Sequence, residues 1–454
     1  MINFNVKHII FLLYAIVWMM AFFGLSIFEK IEAWHFTFQI QNLNIVWILV
    51  WLGSIFITYR YIPTSKHPLL LLFLIAYFGQ YLVSFSGTSP ILFYTSETGH
   101  AEFVVTASRD FSMEDVFRRY EVLVEQPHQR FSPSKPPGQL LLYMLFDRMS
   151  PSLEPIQFPK SFVDMRHFQL GLYLTYILPL LAALTTIPIY LLGKEFKMSK
   201  PWLPSLLYSV STPFVLVLMH FDQAIYPFIS TTVGLTTVYA SKYKNRKLLL
   251  FSFVSGLIFA IGSFISFSIA PTLLLLPILL LCANTKNHLN IHIWSRGILS
   301  FLTAVLLFYL LLYFSFDYNP IHRYQKAMIY HANWKGWNGS WSILWLSIRV
   351  NLLEYFWWIG PSVGFLFAKG IVPLDKESTV IRKQFLYLGT GLLLIIAFML
   401  CFGKTLGEVN RLWLFITPFY WLLVSFNIDE KDHNIAIIGC SMWTLLIKIG
   451  MDFF

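Results

Sequence analysis

Residues 248–283 read LLLFSFVSGLIFAIGSFISFSIAPTLLLLPILLLCA, thirty-six positions without one charged side chain. A helix crosses the hydrocarbon of a bilayer in about 20 residues. This stretch is too long for one crossing and suits two, with the turn near Ser266. It therefore predicts an all-α polytopic membrane protein.

Apolar segments of similar length recur on both sides of it, at 8–28, 43–61, 67–86, 168–193, 201–219, 223–240, 296–316, 343–367, 385–402, 412–427 and 434–453. With 248–264 and 267–283 they predict about thirteen transmembrane helices. Composition agrees, because 12% charged residues is half of the roughly 25% of an ordinary soluble domain. Too little polar surface remains to keep such a chain in water.

The net charge of +10 points to topology rather than to nucleic acid. The basic residues fall mostly in short clusters between apolar segments. With a cytoplasmic N-terminus, the inside loops collect seventeen Lys and Arg, among them Lys194, Lys197, Lys200, Lys242, Lys244, Arg246 and Lys247. The short outside loops carry six: Lys30, Arg323, Lys326, Lys335, Lys404 and Arg411. That asymmetry is the positive-inside pattern. Cys282, Cys401 and Cys440 all sit in apolar segments, which points to neither a disulfide framework nor a zinc site. The run Ile9–Phe28 follows Lys7 and precedes no small-residue cleavage site, so it is expected to stay as a first span. The last span is expected to reach Phe454 without a soluble tail.

The organisation expected is an N-terminal transmembrane hairpin, 1–66, before a transmembrane module, 67–454, with a large outer loop at 87–166. Loops beyond about 12–15 residues are uncommon unless they have a task. Ser112–Val124 and Gln139–Arg148 have the amphipathic pattern of short helices lying at the interface.

Four polar constellations stand on the expected outer face. Glu97, His100 and Glu102 lie just past the third span; a carboxylate at the water boundary can serve as general base, or these are simply solvated loop acids. Ser134-Lys135-Pro136-Pro137-Gly138 stiffens the chain before a helix start. A lysine beside a helix N-terminus can seat a phosphate, or the motif is a plain loop-to-helix turn. Asp222, in His220-Phe221-Asp222-Gln223-Ala224-Ile225-Tyr226, sits close to hydrocarbon, where an acid is costly unless partnered or functional. In 403–413, Lys404, Glu408 and Arg411 occupy a short outer loop against the charge bias. Arg411 can grip a phosphate with two parallel hydrogen bonds, or anchor at the headgroups beside Trp413. Aromatics in 317–342, including Tyr324, Tyr330, His331 and Trp334, can stack on a sugar or form an interfacial belt.

In this order the four pieces resemble the GT-C superfamily of membrane glycosyltransferases, the class of the protein-mannosyltransferases and the lipid A aminoarabinose transferase. The resemblance is closer to uncharacterised bacterial multispanning relatives, in which Pro-Pro-Gly, Phe-Asp-Gln-x-Tyr and Gly-Glu-Val-x-Arg-Leu-Trp-Leu-Phe strings recur. It covers the chain from about Gly87 onward, with the first two spans additional. It implies a GT-C-like fold in the cell membrane and an extracytoplasmic active site. A sugar would pass with inversion from a polyprenyl-phosphate donor to a glycan, lipid or protein acceptor. That donor is a co-substrate, no cofactor is implied, and the need for a divalent metal stays open. Carried over, Glu102 is the base, Asp222 the second acid, and Lys135 and Arg411 hold the lipid phosphate. The chain departs from the family in offering Glu97 or Glu102 where an aspartate is usual. The rival readings are a transporter or flippase of lipid-linked glycans, and a polymerase or ligase of surface polysaccharide.

Overall fold

The computed structural model describes residues 40–87, 101–109, 111–125, 129, 131–152, 164–217, 223–285, 291–360, 379–426, 428 and 430–450. The regular elements among them are all helical. In chain order they are α1 Ile45–Tyr61, α2 Pro68–Ser86, α3 Ala101–Ala107, α4 Met113–Val124, α5 Gly138–Met149, α6 Met165–Leu184, α7 Thr186–Glu195, α8 Leu203–Val210 and α9 Tyr226–Lys242. There follow α10 Asn245–Ile265, α11 Thr272–Ala283, α12 Ile291–Phe316, α13 Pro320–Trp334, α14 Trp341–Ile359, α15 Thr379–Phe402, α16 Val409–Leu412, α17 Thr417–Ser425 and α18 Glu430–Gly450.

Among the described residues, seven helical stretches are long and apolar enough to cross a membrane: Ile45–Thr64, Pro68–Ser86, Met165–Glu195, Asn245–Ile265, Trp294–Phe316, Thr379–Phe402 and Asp432–Gly450. Their apolar side chains do not all turn inward. On α12, Leu299 is 67% and Phe314 80% exposed, a surface that suits lipid and not water. The expected span 8–28 lies outside the described residues, as does the end of 343–367.

The other expected spans are shorter or interrupted. The uncharged 248–283 run breaks where its length predicted: α10 ends at Ile265, Ser266 is extended, and a 3-10 turn at Phe267–Ile269 leads into α11. The 201–219 segment forms only the eight-residue α8, then an extended Ser211 and a π-turn at Pro213–Val217. Proline lacks the N–H that would continue the ladder. Eight residues rise about 12 Å, far short of the hydrocarbon thickness.

Chain segments gather at two ends. At one, Gln41 N–H donates to Ile449 O (2.7 Å) and Asn44 N–H to Ser86 O (2.8 Å), joining the start of α1 to the ends of α2 and α18. At the other, Lys200 Nζ lies 3.3 Å from His433 Nδ1, Trp202 packs edge-on to Tyr59 and His433, and Lys242 pairs with Glu195. The basic clusters at 194–200 and 242–247 flank this second end. Small residues let helices close up between the ends. A Cβ at Gly256 would sit 2.3 Å from the Phe301 carbonyl oxygen, so α10 and α12 touch backbone to side-chain-free backbone.

Both amphipathic stretches of the 87–166 loop are helices, as the pattern predicted. Ser112 caps α4, accepting from Asp115 N–H (3.0 Å) while the Asp115 carboxylate accepts from Ser112 N–H (3.2 Å), a reciprocal capping box. Pro137 precedes α5 and Gly138 is its first residue. A side chain at 138 would overlap the Phe264 carbonyl oxygen at 2.3 Å. The glycine is what lets α5 start against the broken end of α10.

Candidate active site

The site is built around the turn Ser132–Ser134. Glu102, on α3, accepts the Phe131 N–H (2.7 Å) at Oε2 and both the Ser132 N–H (2.8 Å) and Ser132 Oγ–H (2.6 Å) at Oε1. From the opposite side the Tyr120 hydroxyl of α4 lies 3.1 Å from Ser132 O and 3.3 Å from both Lys135 O and Pro136 O. Arg323 of α13 donates from Nη2 to Pro133 O and lays its guanidinium over the Tyr120 ring at 5.7 Å. A carboxylate holds the N–H groups, while a phenol and a guanidinium hold the carbonyls. The turn is fixed by two helices that precede it, α3 and α4, and by α13, some way further along the chain.

That turn presents Lys135. Its Nζ is 3.4 Å from the Tyr226 hydroxyl and lies over the rings of Phe103 (5.4 Å) and Tyr226 (5.9 Å). Burial holds the Lys135 ammonium well below its ordinary range, the Arg411 charge lowers it further, and Glu102 opposes both. An anion beside it would favour the charged form and oppose that depression.

Arg411 comes from the short α16, held with the 403–408 loop before it by α14. Ser347, Asn351 and Glu354 follow each other on one buried face of α14. Ser347 Oγ and Asn351 Nδ2 donate to Thr405 O (2.6 and 2.8 Å), and Asn351 Oδ1 accepts from Gly407 N–H (2.8 Å). The Glu354 carboxylate accepts the Asn410 N–H at 3.5 Å, with the neighbouring Glu408 and Val409 N–H groups also turned toward it. The loop needs this hold, because Lys404 (φ 48°) and Glu408 (φ 59°) both stand in the left-handed region, which costs a side chain free energy unless its surroundings impose it. Within it Arg411 Nη2 donates to Glu408 Oε2 (3.0 Å), Lys335 pairs with the same oxygen, and the Arg411 guanidinium lies 5.9 Å from the Phe131 ring. Trp334 closes the cluster, edge-on to Phe131 at 5.7 Å and under Lys335 Nζ at 4.6 Å.

Beside these groups opens a cavity of about 370 Å³. Lys135, Ser134, Gln223, Ser266 and His331 make one part of its wall, while Leu273 and Leu274 of α11 with Phe398 and Phe402 of α15 make another. Those four apolar side chains are 40–65% exposed, so the apolar wall runs out onto the lipid-suited surface. Burial and the neighbouring Lys335 push the His331 imidazole down to about 4, with Glu408 opposing and Arg411 assisting. It faces the cavity as a neutral ring at ordinary pH.

Of the residues singled out in the sequence, Glu102, Lys135, Glu408 and Arg411 come together, with Glu102 and Arg411 both acting on Lys135. Glu97, His100 and Asp222 lie outside the described residues, although Gln223, the next residue after Asp222, lines the cavity. Of the four that come together only Lys135 lines the cavity, and Lys404, half-exposed, does not line it either. Tyr120, Arg323 and the α14 stripe carry no motif. Of these, Glu354 offered a sequence signal, as a mid-helix charge in a mostly apolar segment that it shares with Arg349. Among the described residues no group of three metal-ligating side chains assembles. Compared with protein-family models and with curated proteins, the chain finds no match in either.

Proposed function

We propose that the chain is an inverting membrane glycosyltransferase. It takes a sugar from a polyprenyl-phosphate donor and passes it to a cell-envelope acceptor on the extracytoplasmic side. The observation that carries this reading is the cavity's two-part wall: the half-buried Lys135 at one part, lipid-suited apolar side chains at the other. A phosphate on a long hydrocarbon chain has the same two parts. In this reading the thirteen apolar segments cross the membrane with the N-terminus inside, which places the cavity outside.

In the reaction an acceptor hydroxyl attacks the anomeric carbon from the face opposite the phosphate. The carbon–oxygen bond to phosphate breaks, the hydroxyl proton passes to a carboxylate, and polyprenyl phosphate leaves as the anion. Lys135 and Arg411 stabilise the charge that develops on the leaving oxygen. Glu102 already accepts three hydrogen bonds from the Phe131–Ser132 turn, so we give it the task of positioning Lys135. The base is then Asp222, beside the cavity-lining Gln223, with Glu97 the other acid available.

The direct test is binding by native mass spectrometry, comparing undecaprenyl phosphate with undecaprenol on the full chain. The phosphate is expected to bind at least about tenfold more tightly, the worth of one charge-assisted contact, and Lys135→Met to remove the preference. Equal binding of the phosphate and the alcohol overturns the reading. Deleting the gene and isolating glycolipids would then show which undecorated acceptor accumulates.

A further inference from the structure

Helix α10 runs from one end of the helical array, at Asn245, to the candidate site, where its broken end meets α5. The two ends treat their cations differently. Beside the site, Arg323, Lys326, Lys335 and Arg411 each have a carboxylate partner. At the opposite end Lys242 pairs with Glu195, the one acid in the segments 186–200, 226–250 and 291–316. Around that pair Lys194, Lys197, Lys244, Arg246, Lys247 and Arg296 are exposed. Among the described residues, none of these six is in an ion pair with a carboxylate.

These cations share one surface. The Lys242–Glu195 pair ties the end of α9 to the end of α7, and Lys244 leads directly into α10. The start of α12 lies along the start of α10, where Ser300 Oγ–H donates to Leu249 O (2.8 Å). A Cβ at Gly297 would stand 3.1 Å from Ser252 Oγ, which brings Arg296 beside the first turns of α10. Membrane insertion favours basic loops but asks nothing of how they meet, and here three of them converge. Helix dipoles account for Lys194 and Lys242, in the last turns of α7 and α9. They oppose Arg246 and Lys247, which stand in the first turn of α10 with no acid beside them. Charge of this density calls for anions from outside the chain.

What lies next to it selects the kind of anion. Leu249 and Leu250 follow on α10, and Ile298 and Leu299 on α12, all exposed. Lys247 Nζ lies over the Tyr243 ring (5.4 Å), and that ring stacks on Phe251 (5.3 Å). Cations, then an amphipathic ring, then bare aliphatic side chains match a phospholipid from phosphate to acyl chain. A nucleic acid or an acidic protein would leave the aliphatic part uncovered.

We propose that the meeting point of α7, α9, α10 and α12 is a binding surface for anionic phospholipid, with Lys244, Arg246, Lys247 and Arg296 on the headgroup phosphate. It uses none of the candidate-site residues and stands apart from the transferase reading.

The test mixes the full chain in detergent with equal amounts of phosphatidylglycerol and phosphatidylcholine of matched acyl chains, and reads bound lipid by native mass spectrometry. Phosphatidylglycerol is expected to be retained at least about fivefold better, the worth of one cation beside an anionic headgroup. The preference should disappear in the triple variant Lys244→Gln, Arg246→Gln, Lys247→Gln. It should persist when Arg118→Gln, Arg119→Gln and Arg148→Gln remove the same charge from exposed positions of α4 and α5. Equal retention of the two lipids, a preference that survives the first triple variant, or equal loss in both overturns the proposal. Displacement of the bound lipid by an equal concentration of glycerol 1-phosphate overturns it as well, because the surface would then take a soluble phosphate.

Discussion

Glu102→Gln separates a holding role from a chemical one, and its cost can be worked from the turn. The amide carbonyl can replace Oε1 and keep the Ser132 N–H and Oγ–H, but its NH₂ then points at the Phe131 N–H that Oε2 accepted at 2.7 Å. Stranding that N–H costs about 1–3 kcal/mol, and loss of charge assistance at the other two bonds about 0.5–1 kcal/mol each. The closed turn is thereby weakened by roughly 2–5 kcal/mol, a factor of about 30 at the lower end. Hydrogen–deuterium exchange reads this directly, because Phe131 and Ser132 amides should exchange at least about 30-fold faster in the variant. The undecaprenyl phosphate Kd should rise with it, as Lys135 loses its placement. Unchanged exchange and unchanged lipid-phosphate affinity, together with abolished transfer, would refute the reasoning and return Glu102 to the chemistry itself.

Gly138→Ala puts a methyl group on the Phe264 carbonyl oxygen; overpacking of this kind costs about 1–3 kcal/mol, read as a lower thermal midpoint, and an unchanged midpoint would contradict the close approach. Glu354→Leu leaves the Asn410 N–H without its carboxylate acceptor, so undecaprenyl phosphate should bind about tenfold more weakly through Arg411. Glu354→Gln, which keeps one acceptor oxygen, should recover part of the loss, and equal affinities in all three proteins would count against the clamp. Burial and Arg411 depress Lys135, and an anion bound beside it would raise it again. Binding should therefore take up a proton between the depressed value and the ordinary 10.5, and affinity should fall as pH rises across that window. Calorimetry in two buffers of unlike ionisation enthalpy measures the uptake; none at any pH in the window would contradict the assignment.

What was legible in the chain was whatever depends on local pattern. The length of the uncharged run placed the break at Ser266, the amphipathic period marked α4, and Pro137-Gly138 marked the start of α5. Grouping by charge also put Lys135 and Arg411 in loops that do meet. The count of crossings is harder to read, because a hydropathy window averages over α8, Ser211 and Pro213 as though they were one helix. The struts of the site were illegible for a related reason. Arg323 and Ser347 gain their roles from partners distant in the chain and Tyr120 from a turn in the following loop, and nothing adjacent in sequence distinguishes them from interfacial or core residues. Glu102 shows the limit most clearly: the pattern marked a carboxylate as functional, and only packing reveals the three donors already around it.

The apolar rim of the cavity, formed by Leu273, Leu274, Phe398 and Phe402, has a consequence for supply. A molecule that slides sideways between these side chains never passes through bulk water. Its occupancy then follows its mole fraction among the surrounding phospholipids, not its moles per litre. Diluting a proteoliposome suspension would leave saturation where it was, while mixing in inert phospholipid at constant total donor would lower it.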